Sequence, residues 1–145
     1  MEIGCLEGVL LEHLRYEGYE VMGYEPNEET ANLHPFVIPC GFESNSLKDN
    51  SVASVISFHV FEHLIDPVKS AKEIHRVLRQ GGIAMMEVPV DDFDFYNPDH
   101  YHFFREESLR ELLKDFKDIH TSRDTFITGN GDTFSQIVIS GRKET

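Results

Sequence analysis

Apolar positions along this chain follow two alternating periods. Leu10, Leu11 and Leu14 recur at helical spacing within residues 9–17, and Gly18 stands where such a helix is capped. Residues 19–25 then form a short strand candidate that Pro26 stops. Asn27 is a side-chain cap for a brief helix over 28–33, and Phe36, Val37 and Ile38 form another short apolar strand. Residues 40–51 are polar and turn-rich. The run 52–58 is nearly continuous and β-branched, as buried parallel strands are. Asp66 followed by Pro67 predicts a helix start. Val68, Ala71, Ile74, His75 and Leu78 carry the helical period, and Gly81 and Gly82 predict the stop. Residues 83–90 read as the next buried strand. An irregular aromatic and acidic stretch follows, then a helix over 106–115 with Leu109, Leu112, Leu113 and Phe116 on one face. Strand candidates over 119–126 and 134–140, joined by Gly129-Asn130-Gly131-Asp132, predict a terminal antiparallel hairpin.

Strand and helix in alternation predict an α/β fold of residues 1–145 as one domain. The fold is a doubly wound, mostly parallel sheet closed by the hairpin. Ligands of such sheets bind at the carboxyl ends of the strands, where strand order reverses. The loops after Ile3, Glu25, Ile38, Phe58 and Val90 are therefore expected to line one cleft.

Composition narrows the partners. The chain has 26 Asp and Glu against 13 Lys and Arg, a formal charge of -13. Such a balance disfavours nucleic acid and anionic membranes, which need a basic face. The two cysteines, Cys5 and Cys40, form no CxxC pair and predict reduced thiols in a cytoplasmic protein. No apolar run approaches the roughly 18 residues of a membrane span, and no signal peptide is visible.

Glycines after a strand let a ligand approach the backbone, and an acid at the end of the second strand is placed to accept from ribose hydroxyls. The residues that combine these features resemble class I S-adenosylmethionine-dependent methyltransferases. EIGCLEG at 2–8 resembles the family's first motif, an acid followed by GxGxG, and Tyr24-Glu25-Pro26 its ribose-binding motif. SVASVISFHVFEHL at 51–64 resembles its fourth strand and the turn after it. Asp66-Pro67 with IHRVLRQGG at 74–82 resembles the helix leading to strand five. HYHFFREESL at 100–109 resembles a late motif of the subgroup that acts on small metabolites.

The resemblance implies a Rossmann-like fold, S-adenosylmethionine as cofactor and direct methyl transfer to a small molecule. It places Gly4, Cys5 and Gly8 against the methionine part of the cofactor and Glu2 toward its amino group. Glu25 falls on the ribose, Gly41 and Phe42 on the adenine, and Phe58 and His59 beside the methionyl end. The chain departs from the family at three points. Leu6 replaces the middle glycine, where a side chain either crowds the cofactor or points away. Gly41 replaces an acid near the adenine, for which Glu43 is a substitute. Ala53 replaces an acid at the start of the fourth strand. The family's first strand is also longer at its start. A truncated central strand is therefore expected: either upstream sequence is absent from this chain, or something else fills the slot, as a second copy of the chain in a homodimer could.

Methyl transfer from a sulfonium asks mainly for orientation and exclusion of water. A base is needed only where the acceptor must lose a proton, and His59, His63 and His102 are the candidates. His75 reads as packing. Asp99, His100 and His102 fall short of a closed zinc set, so no metal is expected. Phe93, Phe95, Tyr96, Tyr101, Phe103 and Phe104 either cover an apolar substrate or pack loops on the core. Two other readings are a degenerate module that binds without catalysis and a nicotinamide-dependent oxidoreductase. The spacing from Gly4 to Gly8 lacks the GxGxxG of the latter.

Overall fold

The computed structural model describes residues 1–90, 97–127 and 129–144. Its strands are β1 (Glu2–Ile3), β2 (Gly23–Tyr24), β3 (Val37–Ile38), β4 (Val52–Phe58), β5 (Leu78–Pro89), β6 (Lys117–Ile127) and β7 (Thr133–Arg142). They form one 7-stranded sheet in the order β3-β2-β1-β4-β5-β7-β6. The first five strands run parallel, and β7 and β6 pair antiparallel at one edge. The predicted α/β architecture and terminal hairpin are both present. Order reverses between β1 and β4, and this locates the crevice.

The helices are α1 (Val9–Tyr16), α2 (Glu28–Ala31), α3 (Pro67–Val77) and α4 (Glu106–Leu112). Two starts follow from local chemistry. Asn27 Oδ1 accepts the Thr30 N–H at 3.1 Å, and Asp66 Oδ1 accepts the Lys69 N–H at 2.9 Å, with Pro67 leading into α3. The buried stripe of α3 is Pro67, Ser70, Ala71, Ile74 and Val77. Val68, predicted to share that stripe, is exposed, and His75 stands beside it with its ring edge-on to Phe116.

The end of α3 also departs from expectation. The helix stops at Val77 rather than at the glycine pair, and β5 starts at Leu78. Lys143 explains this, because its ammonium donates to the carbonyls of His75 (2.7 Å) and Leu78 (2.9 Å). A cation there satisfies carbonyls a helix end leaves free. Leu78 already pairs with Val52 of β4, and Gly82 passes so close to the Ala53 carbonyl that a Cβ would lie 2.9 Å from it. Close backbone approach, not helix capping, is what this glycine serves.

The main core lies on the face that α3 and α4 cover, with Ile74, Leu78, Met86, Leu109, Leu113 and Ile139 fully buried. A smaller cluster of Cys5, Leu11, Ala31 and Val37 packs α1 and α2 on the other side. β1 pairs with β2 and β4 through Glu2 and Ile3, so the first loop leaves from the centre of the sheet.

Candidate active site

The turn after β1 is fastened to the end of β2. The Gly4 N–H donates to the Tyr24 carbonyl at 2.8 Å, and the Leu6 N–H donates to Glu25 Oε2 at 3.0 Å. Glu25 Oε1 accepts the Asn27 N–H at 3.0 Å, so the buried carboxylate also organises the start of α2. Each oxygen keeps a second lone pair for a ligand hydroxyl. Gly4 has φ +67, and a Cβ on it would stand 2.3 Å from Val60 Cγ2. The backbone therefore passes beneath the loop after β4 with no room for a side chain.

A cleft opens beside this turn, lined by Ile3, Gly4, Tyr24, Gly41, Phe42 and Val60 among others. Tyr24 and Phe42 meet edge to face, with ring centroids 5.6 Å apart. Glu43 folds over Gly41, its Oε2 2.8 Å from where a Cβ on Gly41 would lie, and also lines the cleft. An acid is thus available beside position 41 although the residue there is glycine. Ser70, whose buried hydroxyl meets no partner among the described residues, adds a polar group from α3 that sequence reasoning missed. Its signal was its place in the helical stripe, where a serine among apolar residues faces inward.

Other predicted residues fall around the cleft. Glu2 is buried at the start of β1, Oε2 meets no hydrogen-bond partner among the described residues, and burial pushes the carboxyl up to about 7. Cys5 turns its side chain into the α1 cluster, and burial together with Glu2 and Glu25 pushes the thiol up to about 12. Gly8 precedes α1 at φ 73, and Phe58, half-buried, ends β4. None of these four lines the cleft itself. Leu6 is 60% exposed, so its side chain points to solvent.

The three candidate histidines separate. His59 Nε2 lies 3.1 Å from Glu87 Oε1, and its Nδ1 lies 3.6 Å from Glu62 Oε1. The Glu62 and Glu87 carboxylates raise its pKa from the ordinary imidazole value, against the opposing effect of burial. Its backbone is left-handed at φ 53, a conformation found at strained functional positions. His63 approaches the same Glu62 oxygen at 3.9 Å. His102 is tied in through its backbone, which donates to the Glu62 carbonyl at 3.2 Å, while its ring turns toward Phe104. Of the predicted aromatic cover, Tyr101 and Phe103 are exposed and Phe104 is in the core. Phe93, Phe95 and Tyr96 lie outside the described residues.

A strand order of this kind around a glycine turn and an acid at β2 agrees with what the family comparison finds. Residues 1–117 match the model of the methyltransferase domain family. The chain belongs to that family. The sequence likeness to class I S-adenosylmethionine-dependent methyltransferases is thereby borne out. This methyltransferase domain is 31% identical over 96 residues to a probable S-adenosylmethionine-dependent methyltransferase of Mycobacterium tuberculosis. That match covers 61% of this chain but only 35% of the relative's length, so the chain spans about a third of that protein.

Solved structures repeat the fold. A possible histamine N-methyltransferase of Thermotoga maritima superposes with a TM-score of 0.78 at 22% identity, over 99% of this chain and 80% of that one. Phosphoethanolamine N-methyltransferase 2 of Haemonchus contortus, solved with phosphomonomethylethanolamine and S-adenosylhomocysteine, gives 0.84 at 17% identity over 99% of this methyltransferase domain and 48% of its own chain. Among the described residues no helix is long and apolar enough to cross a membrane.

Proposed function

We propose that this chain binds S-adenosylmethionine in the β1–β4 crevice and transfers its methyl group directly to a small-molecule acceptor. The carrying observation is Glu2 Oε2, a buried carboxylate oxygen with no hydrogen-bond partner among the described residues, on the residue that precedes the cleft-lining Ile3 and Gly4. Buried polar atoms are normally satisfied, and an orphan beside a cleft calls for a ligand group. A cationic amino group fits it. The rest of the crevice fits the same molecule. Glu25 retains acceptor capacity for ribose hydroxyls, the Phe42 and Tyr24 rings flank a flat base, and Glu43 can accept from an exocyclic amine.

When bound, the cofactor supplies a methyl group on a sulfonium, a good leaving group. The residues of the chain orient and exclude water. Gly4 against Val60 closes the floor, and Phe61 and Leu64 keep one wall apolar. His59, between Glu87 and Glu62, is the group suited to move a proton at the acceptor end. The acids around it favour a neutral or cationic acceptor over an anionic one.

The test is calorimetric titration of the purified chain with S-adenosylmethionine and S-adenosylhomocysteine. Saturable binding of both, weakened at least about tenfold by Glu2→Gln, is expected, the size of losing a charge-assisted contact. A folded chain that binds neither would refute the reading.

A further inference from the structure

We propose that Gln136 is a positioning residue: through Glu87 it fixes the His59 ring so that Nδ1, opposite the buried Glu62, is the atom that takes a proton from the acceptor. This role rests on the methyl-transfer reading and deepens it.

Three strands bring the parts together. His59 follows β4 and precedes the cleft-lining Val60 and Phe61. Its backbone N–H donates to the Glu87 carbonyl of β5 at 2.9 Å. On β7, Gln136 is the antiparallel partner of Pro89, two residues beyond Glu87. Such a diagonal neighbour shares a sheet face with Glu87 and lies within reach of a long side chain. Gln136 is buried, and its Nε2 donates to Glu87 Oε2 at 2.7 Å. A carboxylate only accepts, so the amide nitrogen is the end that faces it. With that oxygen engaged, Glu87 Oε1 is held 3.1 Å from His59 Nε2. The Phe134 ring, from the same strand as Gln136, stands beside the imidazole with centroids 5.9 Å apart.

Two distances decide where the ring hydrogen sits. Nε2 is at hydrogen-bonding distance from Glu87, whereas Nδ1 is 3.6 Å from Glu62 Oε1, beyond it. The neutral ring therefore carries its hydrogen on Nε2 and its lone pair on Nδ1. The opposite tautomer would press a ring lone pair against Glu87 at the shorter distance.

Glu62 explains why Nδ1 is a good place for a proton. Its side chain is 1% exposed, and neither oxygen has a hydrogen-bond partner among the described residues. A carboxylate in that setting favours a positive charge beside it. His63 Nε2 stands 3.9 Å from the same oxygen and shares its field. On β6 the register partner of Gln136 is the exposed Asp124. In the proton transfer, the bond from the acceptor atom to hydrogen breaks and its electron pair stays on the acceptor atom. The proton bonds to the Nδ1 lone pair, and His59 becomes an imidazolium between two carboxylates.

The experiment is long-range ¹H–¹⁵N NMR of the ¹⁵N-labelled full chain across pH, with the His59 signals assigned by their absence in His59→Gln. At pH above its titration, His59 of the parent is expected as the Nε2–H tautomer, gaining its second proton at Nδ1 as pH falls. Glu87→Gln retains an acceptor oxygen and is expected to keep that tautomer while lowering the His59 pKa by about one, since one opposite charge is gone. Gln136→Leu frees the Glu87 carboxylate and is expected to give a mixture of tautomers with a smaller fall in the same direction. An Nδ1–H tautomer in the parent, a measurement that needs no variant, would overturn the assignment. A folded Gln136→Leu chain whose tautomer and His59 titration match the parent would overturn it too, leaving Gln136 a part of the sheet alone. A parent with the expected tautomer that fails to bind S-adenosylhomocysteine in calorimetry would overturn the methyl-transfer reading, and the proton's role with it, while the ring geometry stood. The two failures are thereby distinguishable.

Discussion

Glu25 Oε2 accepts the backbone N–H of Leu6 at 3.0 Å, so the acid at the end of the second strand holds the turn that follows the first. The same carboxylate accepts from Asn27 through its other oxygen. One residue thereby shapes the turn beside the crevice and, in the proposed function, meets the ribose. Its substitution is expected to act on stability and on binding together.

Glu25→Ala is expected to destabilise the fold by about 1–3 kcal/mol, because two backbone N–H groups lose a charged acceptor. Cofactor affinity is expected to fall as well. Glu25→Gln leaves one acceptor oxygen and is expected to lie between the two. Denaturant melts and calorimetry on the same samples separate the effects. A destabilised Glu25→Ala chain with unchanged affinity would remove Glu25 from the ribose and leave it a purely structural role.

Leu6 permits a sharper separation. Its backbone is left-handed at φ 47 and its side chain is 60% exposed. Leu6→Gly is expected to relieve roughly 1–2 kcal/mol of left-handed strain, offset by up to about 1 kcal/mol of glycine entropy. Affinity for S-adenosylmethionine is expected to stay the same, because the side chain is in solvent. A large gain in affinity would mean that the loop reorganises toward the ligand and that Leu6 does crowd it.

Elements fixed by neighbouring residues were legible in the sequence. Asp66-Pro67 starts α3 and Val52–Phe58 is β4, since capping and β-branched runs act locally. The end of α3 was not legible, because it depends on Lys143, a residue from the far end of the chain. The candidate site divides the same way. Glu25 and the glycine turn follow from strand ends, while Ser70 enters the cleft only through packing of α3. The edge-to-face contact of the His63 and His100 rings joins residues on either side of β5, and no spacing rule in the sequence connects them.

Gly4 tests how tightly the floor of the crevice is built. A Cβ there would stand 2.3 Å from Val60 Cγ2 on a backbone at φ +67. Gly4→Ala is expected to cost about 1–3 kcal/mol through overpacking and backbone strain combined. Val60→Ala in the same chain removes the clash but not the strain, so a double-mutant cycle is expected to show partial rescue. Strict additivity would show that the Val60 contact is not the source of the penalty.

Glu2 carries a pH signature. Burial pushes its carboxyl from 4.5 up to about 7. A raised folded-state pKa means that the folded chain holds the proton more tightly than the unfolded one. Glu2 therefore favours folding fully below about pH 4.5, and that contribution is lost as pH rises through about 7. Glu2→Gln is expected to flatten this part of the stability profile measured by urea melts. Binding gives an independent check. A cationic amino group beside Glu2 lowers its pKa again, so S-adenosylmethionine is expected to release protons on binding near neutral pH. Affinity is then expected to rise with pH up to about 7 and level off above it. Calorimetry in buffers of different ionisation enthalpy reads that release directly, and the Glu2→Gln chain is expected to show none of it. Equal proton release from both chains would place the titrating group elsewhere and detach Glu2 from the ligand.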